Sequence, residues 1–351
     1  MAKNGPVTVA QLGEFDALLD ARSPAEFADD HVPAAINCPV LNNDERIRVG
    51  TLYQQVSPFE ARKIGAVLVA RNIAQHIETL MLEQPKSWRP LVYCWRGGQR
   101  SGAFCHILRE IGWDAQRLHG GYKSWRQHVL AGLQTLPPTL TYRVISGPTG
   151  SGKSRLLERL AAQGAQVLHL EVLARHRGSV LGLLPEDTQP SQRGFETALF
   201  MALSAFDAAR PVFVEAESRL IGKLRVPDAL LHALRAAPCI ALDVPAAARR
   251  DFLLGAYDWL LINPEFLRQQ LERLKELQGM AVIRRWNALI EAGDYTTLVD
   301  ELLARHYDAL YHRSQQGHFA QVQQAERYEL AEISDATLDE LAARLMLQTE
   351  N

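Results

Sequence analysis

The run Tyr142-Arg143-Val144-Ile145-Ser146 leads directly into Gly147-Pro148-Thr149-Gly150-Ser151-Gly152-Lys153-Ser154, and that into Arg155-Leu156-Leu157-Glu158-Arg159-Leu160. An apolar strand, a glycine-rich turn and a helix start in immediate succession leave little freedom of fold. The strand must be buried, and the helix must pack back on the sheet that buries it. Glycines let successive N–H groups converge, and the helix N-terminus adds positive potential at the same place. The spacing is the GxxxxGK[ST] pattern of a phosphate loop, in the strand–loop–helix setting that pattern requires. Gly147, Thr149, Gly150, Ser151 and Gly152 supply the cradle, Lys153 supplies a charge, and the Ser154 hydroxyl can ligate Mg²⁺. An acidic partner belongs at the end of a neighbouring buried strand. Pro211-Val212-Phe213-Val214-Glu215 fits, with Glu215 able to hold Mg²⁺ directly or through water. No catalytic base for ATP hydrolysis or kinase chemistry can be named, so the loop could bind a diphosphate without splitting ATP.

A second strand-to-helix crossing lies at Val92-Tyr93-Cys94-Trp95-Arg96-Gly97-Gly98-Gln99-Arg100-Ser101. Pro90 to Tyr93 reads as a buried strand. Ser101 to Ile111 reads as a helix with Phe104, Ile107, Leu108 and Ile111 on one face. Cys94 then sits beyond the carboxyl end of a strand, where open parallel sheets bind ligands. Two glycines let amides turn inward, and Arg96 and Arg100 add positive charge; both effects favour the thiolate, the nucleophilic form of cysteine. A buried core cysteine is the plain alternative, since free Cys is among the most buried residue types. The Gly-Gly pair and the two arginines favour the reactive sulfur.

Alternation of strands and helices continues on both sides. Leu18-Leu19-Asp20-Ala21-Arg22 reads as a strand ending in Asp-Ala-Arg, and Ser23, Pro24 and Glu26 form a capping box for a short helix. A turn and second strand follow at His31-Val32-Pro33-Ala34-Ala35-Ile36-Asn37, and Gly112 to Trp125 reads as strand, glycine turn and helix start. The proline-interrupted link at residues 133–141 marks a boundary. The organisation expected is α/β: a parallel-sheet domain over 1–135, a phosphate-loop α/β domain over 140–262, and a helical C-terminal extension over 263–351. At 351 residues, with 47% hydrophobic content, the chain is long and apolar enough for two such cores.

A net charge of −2 excludes a globally basic nucleic-acid binder, so any RNA contact must come from local patches. Arg175, His176 and Arg177 lie in one loop-like segment, Arg219 and Lys223 in a basic stretch, and Arg249 and Arg250 on a helix after the strand Cys239 to Val244; all are candidate RNA or anion contacts. Farther on, Arg268, Arg273, Lys275, Arg284, Arg285, Trp286 and Arg305 could face RNA phosphates and a base, although helices that merely pack on the second domain explain them nearly as well. Cys38, Cys94, Cys105 and Cys239 form no CxxC pair and no metal-ligand spacing, which implies a reducing compartment. Neither a signal-peptide core nor a run of roughly 18 apolar residues is present. A soluble cytoplasmic protein with no membrane contact is expected.

Asp-Ala-Arg…Glu-Phe…His-Val-Pro-Ala-Ala-Ile-Asn, the Cys94-x5-Arg100 loop and Leu118-x-Gly120-Gly121-x-x-x-Trp125 together resemble a rhodanese-like domain over about residues 7–132. With the phosphate loop of a P-loop NTPase-like domain behind it, and with His176-Arg-Gly-Ser, Gln189-Pro-Ser-Gln and Glu215-x-Glu-Ser-Arg-x-Ile-Gly in that order, nearly the whole chain resembles the bacterial tRNA 2-selenouridine synthases. The resemblance implies a transferase acting on a tRNA anticodon loop that bears 2-thiouridine, with selenophosphate and geranyl diphosphate as substrates and the selenophosphate-producing enzyme as a partner. It implies no tightly bound cofactor, with Mg²⁺ on Ser154 and Glu215 as the one candidate ion. Cys94 would carry or guide selenium, Arg96 and Arg100 would balance its anion, and Lys153 would hold the diphosphate. Two readings from other classes stand beside it. A P-loop kinase or ATPase with a regulatory rhodanese module predicts ATP turnover that needs Lys153 and ignores Cys94. A non-catalytic adaptor predicts that neither residue matters.

Overall fold

The computed structural model describes residues 6–176, 188–309, 311 and 324–348. It divides into two units, Met1–Ala131 and Gly132–Asn351. In the first, strands β1 (Ala17–Asp20), β2 (Ile36–Asn37), β3 (Pro90–Tyr93) and β4 (Gln116–Arg117) form a parallel sheet in the order β2-β1-β3-β4. Every residue of β3 is buried, as its uninterrupted apolar run requires of a strand covered on both faces. Asp20 pairs with Tyr93 across the sheet, so the Asp-Ala-Arg turn and Cys94 leave it at the same level. Ser23 and Glu26 form the expected capping box of the helix Pro24–Asp29. Helices Asn43–Gln55, Pro58–Leu80 and Gln99–Ile111 and most of Tyr122–Thr135 also belong to the unit, whose core includes Leu19, Ile73, Val92, Phe104 and Leu108.

In the second unit, β5 (Tyr142–Ser146), β6 (Gln166–Leu168), β7 (Val212–Glu215), β10 (Cys239–Asp243) and β11 (Glu326–Glu329) make a five-stranded parallel sheet in the order β11-β10-β5-β7-β6. Two short strands, β8 (Leu220–Ile221) and β9 (Leu224–Arg225), form a separate antiparallel hairpin. The phosphate-loop strand β5 is central, so its loop emerges between β10 and β7.

The last ninety or so residues depart from the expected run of helices. Helices Pro264–Glu272, Met280–Ala292 and Tyr295–Leu302 pack around Leu271, Ile283, Trp286 and Leu298, but β11 then joins the sheet edge beside β10. The helix Asp335–Leu347 buries Leu338, Leu341, Ala342 and Leu345 in the core shared with the phosphate-loop helix Lys153–Ala162. Only Tyr328 of Glu326-Arg327-Tyr328-Glu329 is buried, so the strand carries too little apolar alternation to announce itself. No helix among the described residues is long and apolar enough to cross a membrane.

Candidate functional site

Cys94 lies just past β3 and is 3% exposed. The loop after it turns at Gly97, in a left-handed conformation at φ +67°, and ends in Gly98, which caps the helix Gln99–Ile111. The Cys94 Sγ lies 3.2 Å from the hydroxyl of Ser101, in the first turn of that helix. Ser101 is fully buried, and it is a partner that the sequence did not single out. The Gly-Gly motif braces this loop from behind: the Tyr122 N–H donates to the Cys94 carbonyl at 2.8 Å, and the Lys123 N–H to that of Trp95 at 3.0 Å. Gly121, at φ +60°, presses so closely on the Cys94 carbonyl that no side chain fits there. Below the loop, Arg22 donates to Asp20 at 2.6 Å and to the Asp30 carbonyl at 2.7 Å, with its guanidinium 4.0 Å from the Tyr122 ring centroid. Both members of the Asp20–Arg22 pair are almost wholly buried, and their hydrogen bonds offset the desolvation of the two charges.

The two arginines differ. Arg96 is exposed, whereas Arg100 is clamped by Glu26, with contacts of 2.6 Å and 3.2 Å. Burial raises the Glu26 pKa, but the Arg100 hydrogen bond and charge outweigh it and hold the carboxyl below its ordinary value. Arg100, expected as an anion partner, is already paired in this structure with a carboxylate that comes from the capping box.

In the phosphate loop, Gly150 and Gly152 adopt left-handed φ of +81° and +79°. The Lys153 ammonium donates to the Gly147 carbonyl at 2.8 Å and to that of Pro148 at 3.3 Å. Burial lowers its pKa, and the charges of Glu171, Glu217 and Glu215 oppose that. The Ser154 hydroxyl donates to Glu171 Oε2 at 2.9 Å, so its acidic partner is Glu171 and not Glu215. Glu215 sits one step behind. Its Oε1 accepts the Glu171 N–H at 2.8 Å and lies 3.4 Å from His169 Nδ1, while its fully buried Oε2 makes no hydrogen bond. Burial and the neighbouring carboxylates push Glu171 up and Glu217 well above the ordinary range. Glu171 sits at the start of a short helix, far in sequence from the strand-end acid, and no spacing rule points to it.

Among the described residues, no group of three or more His, Cys, Asp or Glu side chains could close on a metal ion. The donor set nevertheless suits Mg²⁺, which keeps few protein ligands and takes the rest from phosphate and water. Ser154 and Glu171, with the orphaned oxygen of Glu215 behind them, would hold it, and it would neutralise charge on a phosphate.

Several arginines expected at an anion surface are engaged in ion pairs within the protein. Arg249, 5% exposed, donates to the Thr149 carbonyl at 3.1 Å and forks onto Asp308 at 2.8 Å, so it braces the phosphate loop. Arg250 pairs with Asp251 and Asp300, and Arg219 with Asp228. Trp286 is fully buried with its indole N–H on Glu301, so it is core and not a base-stacking platform; Arg285 and Arg268 are also in ion pairs. His176 is buried, which lowers its pKa. Arg175 and Lys223 are exposed, and Arg177 lies outside the described residues.

A family model described as the tRNA 2-selenouridine synthase AAA domain matches residues 140–263, and one described as a rhodanese-like domain matches residues 8–128. A curated tRNA 2-selenouridine synthase of Marinobacter nauticus is 32% identical over 84% of this chain and 87% of its own. The chain belongs to the tRNA 2-selenouridine synthase family. The Shewanella halifaxensis member is 37% identical over the same two shares, 84% and 87%. That of Nitrosomonas europaea is 38% identical over 70% of this chain, and the match spans 64% of that longer relative.

Proposed function

We propose that this chain is a tRNA-modifying transferase that replaces the 2-thio sulfur of the wobble uridine by selenium from selenophosphate, through an S-geranylated intermediate made from geranyl diphosphate. The observation that carries the reading is that one chain of this family keeps both a loop cysteine and a whole phosphate cradle. Thiocarbonyl sulfur leaves badly, because it would depart as sulfide. In the first step the C2 sulfur attacks the allylic carbon of geranyl diphosphate; a C–S bond forms, the C–O bond breaks, pyrophosphate leaves and the N3 proton passes to solvent. The Gly147–Ser154 amides and the Lys153 ammonium stabilise the charge that develops on that leaving group. C2 now bears a thioether and is more electrophilic. Selenium of selenophosphate attacks C2, geranylthiol departs, and water cleaves the P–Se bond to give phosphate. No oxidation state changes on this route, whereas a selanyl-cysteine on Cys94 would need an added oxidant. Cys94 is therefore assigned to guiding the selenium donor, with Arg96 beside its phosphate. An anticodon loop is single-stranded, so its bases can splay outward without melting a duplex.

The test is mass spectrometry of tRNA nucleosides after incubation of thiolated tRNA with geranyl diphosphate and selenophosphate. Cys94→Ser should accumulate S-geranyl-2-thiouridine with no selenouridine, and Lys153→Ala should leave 2-thiouridine untouched. Geranylation that survives Lys153→Ala but is lost in Cys94→Ser would overturn the assignment. ATP turnover that needs Lys153 and ignores Cys94 would favour the kinase or ATPase.

A further inference from the structure

A cavity of about 60 Å³ reaches Thr149 of the phosphate loop, and its walls are almost entirely leucine and valine, with two tyrosines. Leu253 and Tyr257 come from the helix Ala246–Ala256 and its C-cap, Leu298 and Leu302 from Tyr295–Leu302, and Tyr307 from the turn after it. Wall and cradle touch: a Cβ on Gly150 would fall 2.9 Å from the Leu253 side chain. Arg249 ties them again, with one nitrogen on the Thr149 carbonyl and both on Asp308, which follows Tyr307. The helix widens there into a π-helical turn, Leu303–Tyr307, a departure that costs regular hydrogen bonding and is frequent at functional sites.

We infer that this cavity is the subsite for the hydrocarbon tail of the diphosphate ester held by the loop. The inference rests on the reading above, in which that loop binds a diphosphate, and it adds the residues that choose the ester. A nucleoside would bring ribose hydroxyls and base edges against leucines that offer no hydrogen bonds, and buried polar groups without partners are penalised. A prenyl chain has none to satisfy, and each buried methylene is worth roughly fourfold in affinity. Opening of the flanking leucines would admit the far end of a longer chain.

Calorimetric titration of the full-length protein with inorganic pyrophosphate, dimethylallyl diphosphate, geranyl diphosphate and ADP tests this. Affinity should rise along the first three, with geranyl diphosphate at least about tenfold tighter than pyrophosphate and ADP no tighter than pyrophosphate. Val299→Trp, which fills the cavity from a half-buried position, should erase the gain and keep pyrophosphate affinity within about twofold. Leu254→Asn should do the same by making the wall polar, and serves should the larger side chain fail to fold. A wild type that binds pyrophosphate and gains nothing from the tail would overturn the inference and leave the cradle standing. So would two variants that keep the full gain. A wild type that binds neither pyrophosphate nor its esters would overturn the diphosphate reading itself, and the inference with it.

Discussion

Two glutamates show how the same group acts with opposite sign in the two units. Glu217 is half-buried beside Glu171 and Glu215, and desolvation together with their charges raises its pKa well above the ordinary 4.5. The stability it contributes is fully present below that ordinary value and is lost as pH rises through the folded one. At neutral pH its ionised form is a cost, which the charge of Lys153 offsets only in part. Glu217→Gln should therefore raise stability at pH 7 by about 1 kcal/mol, with the gain vanishing on acidification below about pH 4.5. Thermal melts across that range check it, and a lowered melting temperature at pH 7 would refute it. Glu26 is the reverse. Arg100 holds its pKa below 4.5, so its contribution is present above that value and is lost as pH falls through the folded one. Glu26→Gln should cost about 1 kcal/mol at pH 7, since the pair is only partly buried, and nothing in acid. The same variant frees Arg100, so a faster reaction of Cys94 with an anionic thiol reagent should accompany the lower melting temperature.

At the scale of elements, a two-stranded hairpin such as β8–β9 is marginal alone. Two glutamines support it. The Gln189 amide donates to the Ala174 carbonyl at 3.2 Å and the Ile221 carbonyl at 2.9 Å, and accepts the Lys223 N–H at 2.9 Å. Gln192 donates to the Arg225 carbonyl at 2.9 Å and accepts its N–H at 2.8 Å, as a neighbouring strand would. Gln189→Ala should cost about 1–3 kcal/mol and speed hydrogen exchange at the Lys223 amide before it affects the main sheet. The pairing marks the limit of what the sequence disclosed. The phosphate loop, the cysteine loop and the Gly-Gly turn were legible because each is built from residues adjacent in the chain, whose backbone needs are local. Nothing in the Gln-Pro-Ser-Gln segment or the basic stretch at Arg219 points to the other, because their partnership spans thirty or more residues and leaves no period. Glu171, Ser101, the strand at Glu326 and the burial of Trp286 were hidden for the same reason: tertiary pairing decides them.

At the scale of the molecule, the hydrogen bonds described at each site come from its own unit. Cys94 is set by Ser101, Gly97 and the Gly120–Gly121 turn, all before Ala131. The phosphate loop is set by Glu171, Glu215, Arg249 and Asp308, all after Gly132. Each unit also has its own sheet and core. No hydrogen bond described at either site comes from the other unit, so a lesion at one should not deform the other. Cys94→Ser should bind pyrophosphate within about twofold of the wild type, and Lys153→Ala should leave the alkylation rate of Cys94, read by peptide mass spectrometry, equally unchanged. A mutual change of fivefold or more would amount to a coupling free energy of about 1 kcal/mol. Linkage would then require the effect to appear in both directions for binding, so measuring pyrophosphate affinity before and after alkylation of Cys94 separates true coupling from local damage. If the sites are independent, any cooperation on one nucleoside comes from the substrate: on the route proposed above, S-geranylation at the phosphate loop would create the leaving group on which the cysteine loop acts.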